Sequence, residues 1–74
     1  MCVAVPGRIT WIGESTAASI PARVESGDVT RDIDLVMVSE AVVGDYVVVH
    51  AGYAINVVPE DTARDTLRLL GVEP

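Results

Sequence analysis

At 74 residues and a formal charge of −6, the chain is one small acidic domain, too short for a multidomain enzyme or a large enclosed pocket of its own. Five arginines against eleven acidic residues leave no basic stripe for nucleic acid, and no apolar run reaches the length of a bilayer span. Half the residues are hydrophobic, so the chain is globular, but a domain of this size buries only about 60% of its unfolded surface, and a stabilising partner is expected.

In chain order, the first 58 residues read as short strands and the remainder as a helix. Arg8 to Ile12 alternates, with Ile9 and Trp11 on one face and Arg8 and Thr10 on the other. Gly13-Glu14-Ser15 breaks that run. Ile20, Ala22 and Val24 share one face of a second strand, which Pro21 demotes toward an edge or a bulge. Ser26-Gly27-Asp28 is a turn signal joining it to a third strand, where Val29, Ile33 and Leu35 face one way and Thr30, Asp32 and Asp34 the other. Arg31 interrupts the apolar face near the turn.

Ser39 to Val43 connects to the turn Gly44-Asp45. Tyr46 to Val49 is β-branched and aromatic throughout, the mark of a strand buried on both faces, and it stops at His50-Ala51-Gly52. The last strand, Tyr53 to Val58, sets Tyr53, Ile55 and Val57 opposite Asn56 and Val58. Pro59 suits a first helical position and Glu60 and Asp61 favour the dipole. Ala63, Leu67 and Leu70 form an apolar stripe, Arg64 and Arg68 lie on the solvent side, and Gly71 fits the position after the helix. The expected architecture is a single mainly β domain over residues 1–74: an OB-like barrel of about five strands over residues 1–58, and a helix over 59–70 that caps one open end.

Few residues carry chemistry. Cys2 is the single cysteine, so no internal disulfide forms, and the amino terminus lacks the cationic start and long apolar core of a secretory signal. A cytoplasmic protein is expected. A thiol beside a chain terminus can act as nucleophile or metal ligand, since a nearby ammonium raises the thiolate fraction; the bland reading is a small residue at a frayed end. His50, the only histidine, sits at a strand end beside small residues, where its neutral nitrogen suits a metal or simply bonds a loop carbonyl. Together they supply two protein ligands where a closed structural site wants four, which favours transient handover over storage. Pro6-Gly7 reads as a turn that aims the amino-terminal segment. Asp32 and Asp34 read as a solvated face, and Trp11, Tyr46 and Tyr53 as core or partly covered aromatics.

The segments MCVAVPG and GDYVVVHAGYAINVV, with PEDTARDTLRLL after them, resemble the HypC/HupF family of [NiFe]-hydrogenase maturation chaperones. The resemblance runs over nearly the whole chain with its spacing preserved. It implies an OB-like barrel with a carboxy-terminal helix, and a chaperone and carrier with no turnover of its own. It further implies binding to a HypD-like scaffold and to the hydrogenase large-subunit precursor, with an Fe(CN)2CO fragment carried transiently between them and no permanently bound cofactor. On that resemblance Cys2 would be the essential thiol and an iron ligand, and His50 a second ligand or an orienting residue. Val3, Pro6, Gly7 and Gly52 would complete the partner-binding set: Pro6 and Gly7 by positioning the terminal segment, Gly52 by allowing close approach beside His50. Two other readings stand beside it. One is a metal-free OB-like protein–protein adaptor in which Cys2 is incidental. The other is an enzyme with an amino-terminal cysteine nucleophile, for which the sequence offers no oxyanion hole or substrate pocket.

Overall fold

The computed structural model describes residues 5–71. Its strands are β1 (Pro6–Ile12), β2 (Pro21–Ser26), β3 (Val29–Asp34), β4 (Tyr46–His50) and β5 (Tyr53–Val58), followed by helix α1 (Glu60–Leu69). They close into a barrel in the order β1-β2-β3-β5-β4, with β4 returning to pair antiparallel with β1. This is the OB-like barrel expected from the sequence, and no helix among the described residues is long and apolar enough to cross a membrane. Pro21 opens β2, where its missing N–H costs no interior ladder bond. The β2–β3 hairpin pairs Ser26 with Val29 across a two-residue turn, and Gly27 takes the positive φ (+59°) that such a turn requires at its first position.

Two strands depart from simple alternation, both for the same reason. The β1–β2 register shifts between Ile9 and Trp11, so Thr10 is an extra, unpaired residue. Ile9 stays inside, fully buried, whereas Trp11 emerges on the outer face opposite Arg23 and is 46% exposed. The Arg23 guanidinium lies 5.3 Å from the Trp11 ring centroid and also bonds Asp32, giving a surface row across β1, β2 and β3. Likewise the β4–β5 register shifts beside Ile55, so Tyr53, Ile55 and Val57 do not share one face: Tyr53 pairs with His50 and Val57 with the buried Val47. Tyr53 is therefore exposed, and the buried residue of this strand is Ala54.

The barrel core is Ile9, Ala22, Val24, Ile33, Val47 and Ala54, completed by Leu35, Val38 and Ala41 from the connector. Leu35 is thus not a strand residue. Strand β3 ends at Asp34, and a single 3₁₀ turn, Val36–Val38, folds the connector into the barrel end. Helix α1 does not plug the barrel. Ala63 and Leu67 pack with Tyr46, Val5 and Val58 in a second cluster. Tyr46 alternates with the inward Val47, so α1 lies on the outer wall, which is how β4 comes to be buried on both faces. Pro59 sits at the N-cap, one position before the expected one, and its carbonyl accepts the Ala63 N–H at 2.9 Å. Glu60–Arg64 and Asp65–Arg68 ion pairs line the exposed face, and Gly71 ends the helix at φ +76°. Leu70, expected on the buried stripe, is nearly half exposed.

Asp34 is the least bland acid among the described residues, contrary to its reading as part of a solvated face. Its carboxylate accepts bonds from the Ser19 hydroxyl at 2.6 Å and from the Ile20 and Val36 amides at 3.0 and 2.9 Å, and its own amide donates to the Gly52 carbonyl at 2.9 Å. One residue thereby ends β3, starts the 3₁₀ turn and ties three segments together. The Ser19 hydroxyl, then the Ile20 amide, hold the carboxyl below its ordinary value of 3.8 against partial desolvation, with the Val36 amide adding to them. A depressed folded-state pKa stabilises the fold above the unfolded value and is lost as pH falls through the folded one. Asp34→Asn is expected to lower the urea midpoint by a constant amount from about pH 7 to about pH 5, with the gap from the parent narrowing below pH 3.8. A gap that stays constant in acid would show that the charge of Asp34 is not what matters.

Candidate functional site

Three features meet at one end of the barrel. Strand β1 begins there, with Pro6 paired to Val48; β4 ends there at His50; and the β2–β3 hairpin turns there. Pro6 and Gly7 are the first residues of β1, paired with Val48 and Val47, and are not a turn. Both are buried. The Pro6 carbonyl accepts a bond from the Ser26 hydroxyl at 2.8 Å. A side chain at Gly7 would meet Val24 Cβ at 3.0 Å, so the close approach of β1 and β2 selects glycine there.

His50 is exposed, at the outer face of β4, directly opposite Tyr53. The turn between them is Ala51-Gly52, and both residues have positive φ, +53° and +84°. A two-residue hairpin turn wants this pairing of left-handed residues. Ala51 is the one described non-glycine residue that adopts it, at a cost of roughly 1–2 kcal/mol. A side chain at Gly52 would meet nothing within 4 Å, so within the chain it is backbone conformation and not crowding that selects glycine here. The strained turn is held by the Asp34–Gly52 backbone bond described above.

Val49, inward of His50, lines a notch of about 300 Å³ at the barrel mouth with Val5, Gly7, Val24, Val29 and Arg31. Arg31 pairs across the ladder with the inward Val24 and so belongs to the inner face at this mouth. The interruption of the Val29-x-Arg31-x-Ile33 alternation was its signal in the sequence, though not one tied to a site. Of the candidate residues, His50, Gly52, Pro6 and Gly7 come together at this end, while Cys2 and Val3 lie outside the described residues. Among the described residues no three His, Cys, Asp or Glu side chains gather into a metal-binding group, and no polar or charged side chain is buried. The arrangement can present one imidazole at a rigid, strained corner next to the start of β1.

A family model described as the HupF/HypC family matches residues 1–70. The chain is 40% identical over 68 residues to the hydrogenase maturation factor HypC of Synechocystis sp., covering 90% of each chain. It is 41% identical over 69 residues to the HypC of Cupriavidus necator, covering 93% of this chain and 72% of that one. To the hydrogenase maturation factor HybG of Escherichia coli K12 it is 34% identical over 74 residues, covering 95% and 88%.

Proposed function

The chain belongs to the HupF/HypC family of hydrogenase maturation factors, and from that premise we propose that it carries an Fe(CN)2CO fragment between a HypD-like scaffold and a [NiFe]-hydrogenase large-subunit precursor, with Cys2 and His50 as its donors to the iron. What carries this reading is the pairing of Pro6 with Val48. His50 lies two residues beyond Val48, and the four residues from Cys2 to Pro6 can span at most about 14 Å. A tether of that length lets the thiol reach the imidazole.

The chemistry is suited to such a cargo. Iron bearing two cyanides and one carbon monoxide already has half of an octahedral shell filled by strong-field ligands, so a carrier that shares the fragment with a partner need offer only one or two soft or borderline donors. Two donors on an open corner hold the fragment exchangeably, as delivery requires, whereas four would retain it. Pro6 and Gly7 aim the thiol-bearing segment, and the clamped Ala51-Gly52 turn fixes where the imidazole stands. The chain does no chemistry on the fragment in this reading; it binds, orients and releases.

The test is anaerobic affinity capture from the source cells, comparing the parent with His50→Ala. The parent is expected to bring down the scaffold or the large-subunit precursor, and infrared spectra of the captured complex are expected to show cyanide and carbonyl stretches. His50→Ala is expected to retain its fold and lose at least about tenfold of the iron per complex. Capture of the same partners with no such bands in either form would favour the metal-free adaptor instead.

A further inference from the structure

We propose that the outer edge of β3, together with the barrel-mouth notch and Arg31, is a second docking site, built to accept an extended peptide segment that carries a carboxylate flanked two residues away by aliphatic side chains. Strand β3 is paired along its whole length with β2, but on its other side only Asp34 meets a strand, at Tyr53 of β5. The hairpin fixes what that edge presents. With Ser26 and Val29 flanking a two-residue turn, Val29, Arg31 and Ile33 spend their backbone groups on β2, and Thr30, Asp32 and Asp34 point theirs the other way. The Asp34 amide bond to Gly52 confirms that parity. Among the described residues no strand covers the edge from Val29 to Ile33, so the amide and carbonyl groups of Thr30 and Asp32 form a template for strand addition.

The side chains along that edge define the occupant. On an added strand, residues of the inner face alternate and stand opposite Val29, Arg31 and Ile33. Arg31 is exposed and makes no ion pair among the described residues; the adjacent Asp32 stands on the opposite face, where it bonds Arg23. A carboxylate across the ladder is its natural partner. Val29 is half exposed, and beyond it lies the notch lined by Val5, Val24 and Val49. At about 300 Å³ this notch is at the low end for a ligand site, with room for a side chain or two. Acid opposite Arg31 and aliphatic residues two positions away is therefore the pattern that fits. The site uses neither Cys2 nor His50, so it stands or falls apart from the iron reading.

The probe is the palindromic peptide acetyl-Thr-Val-Thr-Glu-Thr-Val-Thr-amide, which presents the same pattern in either strand direction, titrated into the ¹⁵N-labelled full chain. Shifts are expected at the amides of Thr30 and Asp32 and at the notch, unchanged in Cys2→Ala. Thr30→Pro, which removes an edge donor without breaking a β2 bond, is expected to abolish binding. Arg31→Glu, a surface change that keeps the fold, is expected to weaken the peptide at least about fivefold and to gain binding to the version with lysine in place of glutamate. No shifts at millimolar peptide, or equal binding of the lysine and glutamate peptides by the parent, would overturn the proposal. So would a concentration-dependent dimer abolished by Thr30→Pro, since the edge would then belong to a second copy of the chain.

Discussion

Replacing Cys2 by alanine is expected to reduce hydrogenase maturation in vivo to background while leaving the unfolding midpoint of the isolated protein unchanged. The two halves of this result have separate causes. Cysteine to alanine removes a single sulfur atom, a change expected to stay within about 0.5 kcal/mol. The thiolate, by contrast, is the softest donor the chain possesses and the form of sulfur that binds iron. Loss of an outer-shell partner costs a metal site about 10–100-fold, and loss of a direct donor from a two-donor carrier is expected to cost more. Cys2→Ser sharpens the test, since a hydroxyl keeps the size and loses the softness. Full hydrogenase activity with either variant would sink the carrier reading. Equal capture of partners by thiol-alkylated and untreated protein would point to the adaptor.

The largest expected effect on stability is at Leu67, whose replacement by alanine is expected to cost about 2–4 kcal/mol. Leu67 is 1% exposed and packs with Ala63 and Tyr46 in the cluster that seats the helix. A ten-residue helix has little stability of its own, so this contact and not propensity keeps it formed. Amide exchange across residues 60–69 is expected to accelerate more than that of Ile9, Val24 and Val47, because the barrel core is a separate cluster. Leu69, two residues on and 89% exposed, is the control: Leu69→Ala is expected to stay within about 0.5 kcal/mol. Equal losses at the two leucines, read from urea midpoints, would mean that the buried face is wrongly assigned.

Where alternation was uninterrupted, the sequence was a sufficient guide. Ala22 and Val24 are inward as their period indicates, the Ser26–Val29 hairpin has the expected turn, and Ala63, Leu67 and Gly71 fall where helical spacing puts them. Trp11 and Ile55 were misread because a bulge adds one residue to a strand and reverses every face beyond it. Neither Thr10 nor Ile55 announces its bulge by residue type. Asp34 looked solvated because its partners, Ser19 and Ile20, are distant in sequence, and only closure of the sheet brings them near. The helix was placed over an open end because nothing in its stripe distinguishes a mouth from a wall; Tyr46 makes the distinction by alternating with Val47. For the candidate site, the corner formed by His50 and Gly52 was legible as a strand end. The inward aim of Arg31 was visible only as a fault in the pattern.

The one-residue contact between β3 and β5 also bears on how the protein folds. Residues 6–34 make a meander and residues 46–58 a hairpin, each held by pairings local in sequence. Joining them requires the β1–β4 ladder and the single Asp34–Tyr53 pair, whose loop-closure entropy must be met before any contact rewards it. Asp34 and Tyr53 are 19 positions apart, against 38 to 42 for the β1–β4 partners, so that pair is the cheaper closure in entropy but the thinner seam. The same stave ties β3 to the turn beside His50, so the thinnest seam of the barrel and its candidate site share one line.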